Sequence, residues 1–240
     1  MSFELSALSF ELFREVTMAQ SVRDEILAKL KAAPKAEVPT RPSLPPYKTL
    51  SMDREQLIAE FTARLAEEAV VVRRVKDFQE ALDRLTVVAA EEGLRKVMIS
   101  TDDVISRLDL ASWGKKNGIQ VMTPRDFPDR NSYRDAVFDQ AQAGITGADF
   151  AVAESATIGL IINKDQARLV SVAPILHIAI VPLDRLVPVY EPVIEKVFGK
   201  KGEYPSQFVF ITGPSMTGDI QGVLFKGMHG PRKVIVILVG

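Results

Sequence analysis

The run Val234-Ile235-Val236-Ile237-Leu238-Val239 decides the fold. It is apolar without interruption, rich in β-branched residues, and bounded by Gly230-Pro231 before it and Gly240 after it. A strand that reads this way is covered on both faces, as in the middle of a helix-flanked sheet. Working back along the chain, the residues between positions 51 and 123 supply the covering layers. Met52–Glu68 has Leu57, Ile58, Phe61 and Leu65 on one helical face. A strand is predicted over Ala69–Val75, a helix over Asp77–Glu92, a strand over Lys96–Ser100, a helix over Val104–Asn117 closed by Gly118, and a strand over Ile119–Thr123. Alternation of this kind argues for a parallel sheet with helices on its faces.

Beyond the helix predicted at Ser132–Ala143 the pattern changes. Ala148–Ala153, Thr157–Asn163, Arg168–Val172 and His177–Val181 read as strands joined by short turns, which suits antiparallel pairing. Asp184–Gly199 reads as a helix made irregular by Pro188 and Pro192. The C-terminal part reads as a strand at Ser206–Ile211, a loop at Thr212–Ser215, a helix over about Thr217–Met228, and the strand that opened this reading. The expected architecture is α/β, a Rossmann-like mixed sheet with flanking helices.

Residues 1–50 are expected to form an N-terminal extension to a domain spanning 51–240. Within the extension, Ser21 and Asp24 form a capping-box-like pair ahead of Ile26, Leu27 and Leu30 at helical spacing. Pro34, Pro39, Pro42, Pro45 and Pro46 follow and favour extended chain. The helix therefore reads as an arm, able to pack back, to hold a partner or to join a second copy in a homo-oligomer. Met18 has the look of a natural beginning, which makes residues 1–17 an upstream extension.

Composition limits the function. With 47% hydrophobic and 25% charged residues, wholesale disorder is excluded. A net charge of −1 leaves no electrostatic footprint for nucleic acid or an anionic membrane. No apolar run approaches the ~20 residues of a membrane span, and the acidic start lacks a basic signal region, so a cytoplasmic protein is expected. The chain has no cysteine, which removes disulfides, thiolate nucleophiles, Cys-ligated zinc and Cys-ligated iron–sulfur clusters. His177 and His229 are its only histidines, too few for a multi-histidine metal site. No metal and no cofactor are expected in the chain, although an all-oxygen site for a hard cation stays open.

Three segments carry side chains able to do chemistry. The first is Thr212-Gly213-Pro214-Ser215-Met216-Thr217-Gly218-Asp219. Read as a strand-to-helix loop, it aims backbone N–H groups and the positive helix end at a ligand; capping by Ser215 or Thr217 is the structural alternative. Asp219 competes with bare phosphate for those donors, which favours hydroxyls or phosphate with a cation. Ser215, Asp219 and His229 do not make a triad: the second glycine of a nucleophile elbow is missing, and ten residues of continuous helix hold Asp219 and His229 ~15 Å apart. The second segment places Asp149 after Gly144-Ile145-Thr146-Gly147 and Glu154 before Thr157, in turns expected to face the same cleft as the first. The third is Lys226-Gly227-Met228-His229-Gly230-Pro231-Arg232, where His229 suits a helix C-terminus. His177 reads as a core or edge histidine.

Taken together, GITGADFAVAESATIGL, LHIAIVPLDRLVP and FITGPSMTGDIQGVLFKGMHGPRKVIVILV resemble the bacterial lactate utilisation protein C family (LUD domain), as does the arm MAQSVRDEILAKLKAA. More distantly they are similar to the sugar-phosphate isomerase and CoA-transferase-like superfamily. The resemblance covers about residues 18–240 and is most specific in TGPSMTGDI with GMHGPR. It implies a non-redox subunit of an L-lactate oxidation system that converts lactate to pyruvate with iron–sulfur partner subunits. It marks Asp149, Glu154, Thr157, Gly213, Ser215, Thr217, Asp219 and His229 as recurrent positions, to which the residues themselves add Thr212. Ser155-Ala156 departs from the Thr-Gly that the family resemblance leads one to expect. By analogy with CoA-transferases, Glu154 is a candidate nucleophile, and Asp219 is the other catalytic candidate. The alternative function is a stand-alone enzyme acting on a small acid, a sugar phosphate or an acyl-CoA.

Overall fold

The computed structural model describes residues 22–34, 50–199, 204–205, 207–220 and 223–240, with the backbone alone at 219–220 and 223–224. The chain divides into two units, residues 1–46 and 47–240. In the first, the described part is helix α1 at 22–32, whose Val22, Ile26, Leu27 and Leu30 are all exposed. The Ser21 cap, residues 1–17 and the prolines after Pro34 lie outside the described residues.

The second unit is built on a six-stranded, wholly parallel sheet. Its strands are β1 (Val71–Val75), β2 (Lys96–Ile99), β3 (Gln120–Met122), β4 (Ala143–Gly147), β7 (Leu176–Pro182) and β12 (Lys233–Val239), in the spatial order β1-β12-β7-β4-β2-β3. Alternation along β12 sends Ile235, Ile237 and Val239 to one face and Val234, Val236 and Leu238 to the other. The first face is covered by α3 (Phe78–Glu91) and α4 (Leu110–Asn117), through Leu85, Val88 and Trp113. Over the second face lie α2 (Arg54–Glu67), α5 (Arg130–Asp139), α6 (Arg168–Val172) and a smaller sheet. That sheet joins β5 (Phe150–Val152), β6 (Thr157–Ile162), β8 (Leu186–Val187) and β9 (Gln207–Ile211) in the order β8-β5-β6-β9, with mixed pairing. Helix α7 (Glu191–Phe198) packs Val193 and Val197 on Phe150 of the small sheet.

Local chemistry sets the boundaries. Asp53 and Gln56 form a capping box at the start of α2, and Asp77 caps α3. Gly118 ends α4 in the left-handed conformation at φ +67°, as a C-terminal glycine should. Arg74, at the end of β1, holds the Glu55 carboxylate with two hydrogen bonds of 2.8 and 2.9 Å in an exposed pair.

Six expectations are corrected. His177–Val181, expected to suit antiparallel pairing, is β7 of the parallel sheet. The helix expected over Asp184–Gly199 forms only at Glu191–Phe198, after a 3-10 turn at Leu183–Arg185 and the strand β8. The helix predicted over Val104–Asn117 is broken: a 3-10 turn at Ile105–Arg107 precedes an extended Leu108, and Asp109 caps the new helix α4. The helix predicted to run to Ala143 ends at Asp139, and Ala143–Gly147 is a buried parallel strand. Its two glycines look like turn residues, but they are positions of close approach. The Arg168–Val172 run, apolar and β-branched, forms a short helix, because so short a run does not distinguish the two states. Finally, the described residues of Thr217–Met228 are not helical. They hold an antiparallel hairpin of β10 (Met216–Ile220) and β11 (Val223–Lys226). Gly218, Gly222 and Gly227 each disfavour helix by roughly 1 kcal/mol, and Thr217, Ile220 and Val223 favour strand.

His177 lies wholly inside the sheet on β7, with Nε2 2.9 Å from the Thr146 hydroxyl. Nδ1 has no hydrogen-bond partner among the described residues, so the core histidine is only half satisfied. Burial pushes its pKa down from 6.5 to about 4. The unfolded chain takes up a proton as pH falls through 6.5, and the folded chain resists until about pH 4. Folding stability therefore falls across that window by about 3 kcal/mol. Urea melts between pH 7 and pH 4 should show this loss in the wild type, and His177→Asn should flatten the dependence by that amount.

Candidate functional site

The carboxyl edge of a parallel sheet is where ligands collect in folds of this kind, because the loops leaving successive strands face one crevice. Here β2 runs into Ser100-Thr101-Asp102-Asp103, β4 into Ala148-Asp149, and β7 into Leu183-Asp184-Arg185. These loops meet. Asp102 accepts from the Ser100 hydroxyl at 2.5 Å, from Val104 N and Ile105 N at 2.9 and 3.1 Å, and from Gly147 N at 3.1 Å. One carboxylate thus pins the ends of β2 and β4 together, and a side chain at Gly147 would strike it, with a Cβ 2.1 Å from Asp102 Oδ1. Gln166, almost fully buried, donates from Nε2 to Gly147 O at 2.8 Å and adds a second clasp.

Asp102→Ala should destabilise the fold by about 3 kcal/mol, because it orphans three backbone donors and leaves the buried Ser100 hydroxyl only the long 3.4 Å contact to Ile145 O. Asp102→Asn keeps an acceptor toward Val104 and Ile105 and should lose less. Chemical denaturation of the two variants measures the difference.

Above this clasp opens a cleft of about 920 Å³. Its polar lining comprises Asp103, Asp149, Asn163, Asp184, Arg185 and Lys196, the last on α7. Its apolar lining is made by Phe150, Ile161, Val187, Val193, Val197 and Tyr204. Arg185 donates through Nη1 to Ala148 O at 2.8 Å and through Nη2 to the Asp103 carboxylate, which fixes the polar rim. Asp149 accepts from Ile161 N at 2.6 Å through Oδ2, and no described protein donor reaches Oδ1. Burial pushes the Asp149 carboxyl above the usual carboxylate range, and the charges of Asp102 and Asp103 add to the effect. The Ile161 N–H and the Arg185 guanidinium oppose it. Chemically the cleft offers a carboxyl acceptor at the rim of an apolar slot.

The other sequence-derived candidates lie elsewhere. Asp149 precedes β5 and Glu154 follows it, so a strand separates the two acids that were expected to share a cleft. The register of β6 and β9 pairs Ile158 with Ile211, which sets Thr157 against Thr212. A Cβ on Gly213 would approach Glu68 O to 3.0 Å, just before β1 begins. Ser215 N donates to Pro231 O and Gly227 N to Ser215 O, both at 2.8 Å, which seats Ser215 against the turn bearing the exposed His229. Arg232 N in turn donates to Ile175 O, where β7 and β12 start. Glu154, Thr157, Thr212, Gly213, Ser215 and His229 therefore belong to the amino edge of the parallel sheet, and Thr217 and Asp219 extend from it on the hairpin. With a hairpin in place of a helix, no helix N-terminus faces a ligand there. The argument that kept Asp219 from His229 by helix length also lapses, and His229 caps no helix. The side chain of Asp219 lies outside the description.

At this amino edge Ala156 adopts φ +51°, which shows that the alanine takes the left-handed turn where glycine was expected. Beside it the Thr157 hydroxyl is 2.5 Å from Tyr190 Oη and 2.9 Å from Ser155 Oγ. Sequence reasoning missed Asp103, Arg185 and the apolar wall. The signal was available in part: each polar residue lies within four residues of the end of a predicted strand, Lys96–Ser100 for Asp103 and His177–Val181 for Arg185.

Fold and site define a class, a parallel α/β sheet clasped at its carboxyl edge with a small mixed sheet on one face. A DUF162 family protein from Deinococcus radiodurans shares this fold, with a TM-score of 0.56 at 22% identity over 79% of this chain and 100% of that one. The LUD domain family model matches residues 58–239, and the chain belongs to that family. Among relatives, lactate utilization protein C of Anoxybacillus flavithermus is 30% identical over 162 residues, covering 67% of this chain and 70% of the relative. The protein of that name from Bacillus licheniformis is 38% identical over 165 residues, covering 65% and 68%. That from Bacillus subtilis is 40% identical over 104 residues, covering 42% and 43%.

Proposed function

We propose that the chain is a cytoplasmic, non-redox subunit of an L-lactate utilisation system and works with iron–sulfur partner subunits that carry out the oxidation of lactate to pyruvate. The observation that carries this reading is the match to proteins named lactate utilization protein C over two thirds of the chain. The absence of cysteine supports the division of labour, because thiolates that hold iron–sulfur clusters must then come from other chains. No helix among the described residues is long and apolar enough to cross a membrane. Within this reading the carboxyl-edge cleft around Asp149 is the ligand site. The exposed stripe of α1 is the handle for a partner or a second copy, and residues 51–240 act as the working domain.

Purification of the tagged chain from its native host tests the proposal. It should co-elute with iron–sulfur absorbance and with lactate-oxidising activity. Repeated elution of the chain alone, with the activity in other fractions, contradicts it.

A further inference from the structure

The carboxyl-edge cleft is too large for lactate itself, and its arginine is already engaged. At about 920 Å³ it lies near the top of the ~300–1,000 Å³ range of small-molecule sites, and a three-carbon acid would fill little of it. Arg185 is already committed to Asp103 and Ala148 O, so a small carboxylate finds no open guanidinium fork. The apolar wall asks instead for a ring or hydrocarbon body, which a small hydroxy acid does not have.

Three features remain for a ligand to use. Asp149 Oδ1 accepts hydrogen bonds, the natural partner of a hydroxyl. Val187, Val193 and Tyr204 offer apolar surface to a flat ring. Lys196, exposed at the rim, offers one unpaired cation among the ion pairs of the described residues. We propose that the cleft binds a nucleotide, with ribose hydroxyls on Asp149, the base on the apolar wall and the phosphate at Lys196. An acid at the carboxyl edge of a parallel sheet that accepts ribose hydroxyls is a general solution in such folds. The inference rests on the cleft being the ligand site of the subunit proposed above, and it names the ligand class.

Calorimetric titration of the full chain with AMP, adenosine and L-lactate tests it. AMP should saturate one site per chain, and adenosine should bind more weakly because it lacks the phosphate. Lys196→Ala should bring AMP down to the affinity of adenosine. Asp149→Asn should weaken both ligands roughly tenfold, with the Lys196 variant deciding alone if the Asp149 variant does not fold. Neither ligand binding at millimolar concentration overturns the proposal. So does AMP binding that ignores the substitutions, or L-lactate competing for the site as strongly as AMP. If AMP fails while the chain still co-elutes with lactate-oxidising activity, the nucleotide assignment falls and the subunit role stands. AMP binding in a chain that elutes alone separates the two in the opposite direction.

Discussion

Gly144→Ala is expected to leave the protein marginally folded, with a large drop in melting temperature. Gly144 is the second residue of β4, where α6 lies directly on the sheet, and a Cβ there would be 1.7 Å from the Val170 carbonyl oxygen and 2.8 Å from its carbon. Both atoms are backbone, so no side-chain rotation relieves the contact. Helix α6 would have to lift away from β4, exposing the buried Val170 and opening the cluster it forms with Met98, Met122 and Val137. Overpacking of this kind costs about 3 kcal/mol or more, and lost burial adds to it. Against a total stability of ~5–15 kcal/mol, the folded state of this variant is marginal. Expression with a melting temperature equal to the wild type would show that α6 does not rest on Gly144.

Ile237→Asp is expected to be worse. Ile237 is fully buried on β12, between β1 and β7, and faces the cluster that contains Ile178, Ile180, Ile235 and Leu85. Among the described residues no lysine or arginine is buried to pair with a carboxylate there. The acid would be forced to stay protonated or unpaired in apolar surroundings, at a cost of several kcal/mol, and the isoleucine's burial would be lost as well. Ile237→Val, which removes one methylene, should cost about 1 kcal/mol and serves as the control. Inclusion-body yield, circular dichroism and thermal melting of the two variants make the comparison. A soluble Ile237→Asp protein with unchanged melting would remove β12 from the interior of the sheet.

These two positions also show what the sequence does and does not reveal. Ile237 was legible because burial on both faces demands an unbroken apolar run, and little else produces one. Gly144 was not, because a glycine reads as a turn when its neighbours are small, and its true role depends on Val170, 26 positions further along the chain, pressing on it. The hairpin at 216–226 is hidden for a related reason: it follows a strand and a small-residue loop where a helix is the common continuation, although its glycines and β-branched residues argue for strand. The candidate site divides along the same line. Asp149 is legible because it follows a run of small residues, whereas Arg185 and Asp103 become partners only when β7 and β2 come to lie on either side of β4. The separation of Glu154 from Asp149 likewise follows from the direction of one short strand, which composition does not encode.

The most direct measurement of the central claim is growth of a strain lacking this gene on L-lactate as sole carbon source. The account predicts no growth on L-lactate, normal growth on pyruvate, and recovery when the wild-type gene is restored. Equal growth of the deletion and parent strains on L-lactate, with no second copy of the gene in the genome, would contradict it.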